Sequence, residues 1–281
     1  VPSSDPRLPS LDSIAHGARS FLMILIAKLS LVAFSLLVAT AVSRRFGHRV
    51  GGIVAGFPMI LAPLVGILLM DLEAERVAEI LWATVANQAA CVAYVMIASW
   101  TALRCSWWQS ALLGCAGFAA ASAFASVMPL GLMMAVSLSI VALSSRWMKP
   151  GEGVRGRVAI PASEFVVRII AALSMAAAVV LLADRTPAMV SAMLLTFPIN
   201  GSILPAFTQA LYGGQAARAL LRGFARGMLG VAFFTLATAI ALTWTSKWLG
   251  YTIGIACALA YAVVLTAIDR RAAARANGSV G

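Results

Sequence analysis

Lys28 lies about seven residues inside the apolar stretch that begins at Phe21, and Arg168 lies at a comparable depth in a second stretch beginning near residue 163. At 1.5 Å per residue, each charge sits on the order of 10 Å below a membrane boundary. From there a long side chain either snorkels to the head groups or faces a bundle interior and binds an anion. Arg218, Arg222 and Arg226 follow one another at helical spacing, so they share one face. Arg218 and Arg222 read as a basic cytoplasmic entrance. Arg226, roughly 12 Å deeper than Arg218, needs an acidic partner, water or an anionic ligand. Glu164 is the nearest acidic residue by expected depth, and because it lies one turn from Arg168 it equally suits a structural ion pair.

The uncharged candidates are of two kinds. Phe57-Pro58 and Phe197-Pro198 stand in Gly-rich surroundings, where proline removes an amide donor and frees the carbonyl one turn earlier. Such helix breaks either kink a bundle or expose backbone groups to a substrate. Asn200 and Ser202 adjoin the second break. Asn87 and Gln88 are the strongest uncharged polar interruption of another apolar run and suit either interhelical hydrogen bonds or contact with a ligand. With Lys28, Arg168, Arg226, Asn200 and Ser202 they complete the candidate substrate-binding set. Glu75 and Glu79, near a span end, suit a solvated mouth.

Enzyme signatures are missing: there is no HExxH, paired acidic motif, GxSxG elbow, Walker loop or dinucleotide fingerprint. The four cysteines (Cys91, Cys105, Cys115 and Cys257) are dispersed, and two histidines are too few for a histidine-built metal or haem centre. No cofactor, metal or catalytic residue is expected. The seven tryptophans gather near span ends, as interfacial anchors do.

The elements that position these residues follow from composition. Of 281 residues, 62% are hydrophobic and only 11% charged, with mean hydropathy +0.94. A soluble domain carries roughly 25% charge, so this chain needs the bilayer as solvent. Windows of about 20 apolar residues predict an all-α polytopic protein of nine spans, near 21–42, 50–70, 77–102, 108–127, 129–147, 163–183, 188–211, 218–246 and 249–269. The division at Val127 to Gly131, where only Pro129 and Gly131 interrupt, suits a kink, a re-entrant pair or, preferably, a tight turn. A polar external tail occupies 1–19 and a basic cytoplasmic tail 270–281.

One constant shift of the sequence along itself, without a gap, brings Phe57-Pro58 onto Phe197-Pro198, Arg45 onto Arg185, Trp108 onto Trp248, Gly114 onto Gly254 and Lys28 onto Arg168. This offset predicts two four-helix repeats, 20–127 and 161–269, joined by a linking helix and cytoplasmic loop at 128–160. The odd central helix makes the repeats inverted, a recurrent plan of secondary transporters. The net charge of +11 is carried by loop clusters with no nucleic-acid-binding motif, so nucleic acid is excluded as a partner. By the positive-inside rule the clusters put the N terminus outside and the C terminus in the cytoplasm, with a bacterial inner membrane as the expected location.

Lys28, the Arg44-Arg45 turn and Gly56-Phe57-Pro58 together resemble the GlpM-like small membrane proteins. Arg168, Arg185 and Phe197-Pro198 are the second-half counterparts. The resemblance implies a fused pair of units that elsewhere occur singly, and implies no activity. The residues themselves suggest a carrier or flippase for an anionic, phosphate-bearing or lipid-linked substrate, in contact with membrane lipids. The alternative is a noncatalytic scaffold subunit of a membrane or envelope-biosynthesis complex, with a membrane protein as partner.

Overall fold

The computed structural model describes residues 57–149 and 162–278, together with 23, 26–35, 37, 38, 53 and 54. The expected tail at 1–19, the Arg44-Arg45 turn, Gly56 and the loop at 150–160 lie outside the described residues. The chain is an all-α, polytopic membrane-type bundle. Its elements are α1 (Ile26–Ser35), α2 (Leu61–Asp71), α3 (Ala74–Thr101), α4 (Trp107–Val127), α5 (Leu130–Trp147), α6 (Ala162–Leu182), α7 (Ala188–Thr196), α8 (Ile199–Leu242) and α9 (Lys247–Gly278). Most helix ends fall close to the ends of the spans read from hydropathy. Among the described residues, six helical stretches are long and apolar enough to cross a membrane, while α1 and α2 are shorter apolar pieces.

Local chemistry explains the boundaries. Met128 is extended (φ −94°, ψ 154°), as a residue before proline must be, so α4 and α5 are separate helices joined by a tight turn at Met128-Pro129. At the start of α4, Gln109 Oε1 accepts the Ser106 amide at 3.0 Å and so satisfies an orphan donor. α8 is one helix only in name. Gly213, at φ 82° and ψ 172°, interrupts it in a conformation that only glycine adopts without strain. α9 differs from expectation: it runs on to Gly278 rather than ending near 269, because Ala and Arg after Asp269 are strong helix formers.

The helices do not share the membrane equally. In α3 and the α7–α8 stretch, 72% and 61% of the most apolar window is buried, against 17–28% in α4, α5, α6 and α9. So α3 and α7–α8 form the centre and the others face lipid, presenting side chains such as Leu112, Phe124, Ile170 and Val263. Close helix approach depends on glycine. A Cβ added at Gly114 would lie 2.7 Å from the Tyr94 ring, and one at Gly254 would lie 2.9 Å from the Phe234 carbonyl. The shift that superposes the two Phe-Pro pairs carries Gly114 onto Gly254 and also Tyr94 onto Phe234.

The boundaries follow the same offset. It carries the start of α3, at Ala74, onto Gly214, where the part of α8 beyond Gly213 begins, and the start of α4, at Trp107, onto Lys247, the start of α9. The two turns match as well: the amides of Cys105 and Thr245 bond to the carbonyls of Thr101 and Ala241, at 2.8 and 2.9 Å.

Side chains tie the loops together at each end of the bundle. At one end Arg76 donates to the Ala183 carbonyl (3.0 Å) and to the Thr186 carbonyl, and Lys247 Nζ donates to the Leu72 carbonyl at 2.9 Å. At the other, Gln209 Nε2 donates to the carbonyls of Ala102 (3.1 Å) and Cys105 (2.9 Å), and Arg218 and Arg222 reach the Ser99 and Ser145 carbonyls, each at 3.4 Å. Arg76 and Lys247 therefore sit at one end of the bundle, and Arg218 and Arg222 at the other.

Candidate functional site

Both Phe-Pro pairs are backbone breaks of the same form. The Met59 amide turns back to the Phe57 carbonyl at 2.7 Å, and the Ile199 amide to the Phe197 carbonyl at 2.9 Å. Pro198, at φ −82° and ψ 71°, is the centre of an inverse γ-turn. Each break interrupts an apolar run, and the helix starts that follow, at Leu61 and at Ile199, both border one cavity.

A small cavity of about 80 Å³, partly open to the surroundings, lies between the two breaks. Seven of its lining residues come from the first half of the chain, and for five of these the residue that the sequence shift pairs with it lines the cavity as well. The five pairs are Phe57 with Phe197, Pro58 with Pro198, Ile60 with Asn200, Gln88 with Met228, and Cys91 with Val231. Phe57 is held from behind by α8, where a Cβ on Gly230 would lie 2.7 Å from its ring. Phe197 is held by an edge-on contact with Phe118, ring centroids 5.3 Å apart.

The wall is mainly apolar, and its polar groups are few. Gln88 is 2% exposed and Asn200 5%. Gln88 Oε1 and Asn200 Oδ1 are buried acceptors with no hydrogen-bond partner among the described residues. An acceptor left unpaired in such surroundings costs about 1–3 kcal/mol, so each is a place where a ligand or water gains a hydrogen bond. The first-turn amides of α8 at Asn200 and Gly201 have no intrahelical acceptor, and this positive end of the helix dipole favours negative charge.

Of the residues picked from the sequence, Gln88, Asn200 and both Phe-Pro pairs line this cavity. Ser202 lines a smaller neighbouring one with Tyr94 and Gln209. Asn87, fully buried, donates through Nδ2 to Thr196 Oγ1 at 2.6 Å and ties α3 to α7. The cations are elsewhere. Lys28 pairs with Asp71 at the end of α2. Arg168 pairs with Glu164 within α6, both side chains 2–3% exposed. Arg226 is half-buried, and its backbone carbonyl accepts the Tyr261 hydroxyl at 2.7 Å. Arg218 and Arg222 stand at the bundle end described above. None of these cations is among the residues that line the cavity.

Sequence reasoning missed Cys91 and Met175, which line the cavity as ordinary apolar helix residues. The repeat offset was the available signal for Cys91, since it shares the wall with its own counterpart Val231. Among the described residues, no group of three or more His, Cys, Asp or Glu side chains converges as a metal site would. No family model matches the chain, and neither a curated protein nor a solved structure resembles it significantly, so the GlpM-like resemblance gains no support from them.

Proposed function

We propose that the chain is a membrane carrier for a small anionic head group, borne on a free metabolite or on a lipid, and that the cavity between the two Phe-Pro breaks is its substrate site. The observation that carries this reading is the pairing of lining residues across the repeat offset, five pairs around one cavity. Two inverted repeats meeting at their breaks produce such a site, and rocking one repeat against the other opens it to each side in turn. The helix starts at Leu61 and Ile199 supply the positive ends for the anion, each equivalent to about half an elementary charge.

Lys28 and Arg168 have a different part in this scheme from the one their positions suggest. Each is already neutralised by a carboxylate, Asp71 and Glu164. They brace the bundle, and the helix ends and carboxamides contact the substrate. The end carrying Arg104, Arg146, Lys149, Arg218 and Arg222 is the cytoplasmic one.

Native mass spectrometry of the purified full chain identifies what copurifies and separates a metabolite from a lipid. Reconstituted vesicles then test whether it moves. Gln88→Leu and Asn200→Leu are expected to lower transport at least tenfold, the loss of about 1.4 kcal/mol or more of binding, while Ser202→Ala changes it little. Vesicles that move no copurifying anion, or transport untouched by both cavity variants, refute the reading. Retention of a partner protein with no transport would favour a scaffold instead.

A further inference from the structure

The carboxamides around the second break are oriented, and their orientation decides what they can bind. Gln88 Nε2 donates to Thr235 Oγ1 at 3.0 Å. Thr235 spends its own hydrogen on the Val231 carbonyl at 2.9 Å, so it faces Gln88 with a lone pair. The amide nitrogen is therefore the tied end of Gln88 and the carbonyl oxygen the free one. Asn87 repeats the arrangement, its Nδ2 on Thr196 Oγ1 and that hydroxyl donating to the Ala192 carbonyl at 2.7 Å. Gln88 Oε1, Asn87 Oδ1 and Asn200 Oδ1 all lack partners among the described residues, and Gln88 and Asn200 stand on the wall of one cavity.

The backbone adds to this concentration of acceptors. α7 ends at Thr196, and the carbonyls of Leu195 and Thr196 belong to its last turn, where intrahelical donors run out. Pro198 has no amide to offer, and the Ile199 amide is turned to the Phe197 carbonyl. Leu195 and Thr196 both line the cavity, which brings the negative end of the α7 dipole to the same cavity as Gln88 and Asn200. Oxygen dipoles of this kind select a positive charge.

We propose that Gln88 Oε1, Asn200 Oδ1 and the carbonyl end of α7 bind a small monovalent cationic group, either an alkali metal ion or the ammonium group of the substrate. Its role in transport rests on the carrier reading, with the cation beside the anion held at the helix starts. Its binding does not rest on that reading and is measured without transport.

The test follows thermal unfolding of the purified full chain in N-methylglucamine chloride, with NaCl, KCl, LiCl or methylammonium chloride added at constant ionic strength. One of these cations raises the apparent Tm saturably, by about 3 °C at ten times its Kd. A response to an alkali ion identifies a coupling ion, and a response to methylammonium alone identifies a substrate ammonium. Asn200→Leu and Gln88→Leu abolish the shift, whereas Ser202→Ala keeps it. Should Gln88→Leu fold poorly for want of its Thr235 bond, Gln88→Glu supplies the second reading. It offers oxygens of greater charge, lets Thr235 turn and donate, and lowers the cation Kd at least tenfold. The proposal is overturned if no cation acts beyond ionic strength, if the shift survives both leucine variants, or if Gln88→Glu gains no affinity. In the first case, anion transport that persists removes the cation site and leaves the carrier standing.

Discussion

Replacing Arg168 by Gln separates a bracing ion pair from a substrate ligand. Arg168 and Glu164 lie one turn apart on α6, each side chain 2–3% exposed, so the charge left on Glu164 cannot reach water without moving the helix. Breaking a buried pair from one side costs about 3–5 kcal/mol, because the remaining charge stays desolvated without its opposite charge. Removing both charges costs far less, since the desolvation penalty disappears with the attraction. The measurement is the apparent Tm in detergent of wild type, Arg168→Gln, Glu164→Gln and the double variant. Both single variants are expected to fall by roughly 6–15 °C, with the double variant recovering most of the loss. A substrate-contacting Arg168 behaves otherwise: the double variant folds but does not transport. Arg168→Gln as stable as wild type would refute the bracing argument outright. A stable double variant that has lost transport would return Arg168 to the substrate site.

Three further outcomes follow from the geometry. Gly213→Ala forces a Cβ onto φ 82° with nothing within 4 Å of it, so backbone strain alone acts; it should cost about 1–3 kcal/mol, while Gly131→Ala, in open space without that φ, is neutral in thermal unfolding. Cys91, 6% exposed on the cavity wall, should react slowly with a small methanethiosulfonate, and a saturating transported ligand should slow it further; labelling indifferent to ligand would count against the cavity as the site. In a cysteine-free background, a cysteine at Glu75 should label from outside intact cells and one at Lys149 only after permeabilisation, and the reverse pattern would invert the topology.

The extent of most helices was legible in the sequence, and the direction each residue faces was not. Hydropathy sets where a helix enters and leaves the bilayer, and the ends of α3, α4, α5 and α6 came out close to the predicted spans. Which side of a helix faces protein is another matter, because lipid is as apolar as the bundle interior and the usual polar outer face is missing. Lys28 and Arg168 show the consequence. Their positions along the apolar runs were readable, but Asp71 is 43 residues from Lys28 in sequence, and only packing brings the two together. The Glu164–Arg168 pair was readable as an alternative, since both partners lie on one helix. The breaks were legible for the opposite reason: proline's missing amide acts locally, whatever surrounds it.

The repeat offset also separates what shapes the cavity from what gives it chemical character. Residues that bend or pack the backbone recur in kind: Phe-Pro at both breaks, and a glycine at a close helix approach at Gly114, against Tyr94, and at Gly254, against the Phe234 carbonyl and Thr238. The polar groups do not recur. Gln88 is matched by Met228, and Asn200 by Ile60, although all four line the same cavity. A site built only from the recurring residues would be an apolar slot with two equivalent ends. Placing one carboxamide from each half of the chain breaks that equivalence, and the second break, next to Asn200 and the end of α7, becomes the polar one. Burying these groups without a partner is unfavourable, and Gln88 Oε1 and Asn200 Oδ1 find none among the described residues. On the carrier reading proposed above, this unfavourable feature in an otherwise matched wall serves ligand recognition, which is why these two residues, and not the buried cations, anchor that reading.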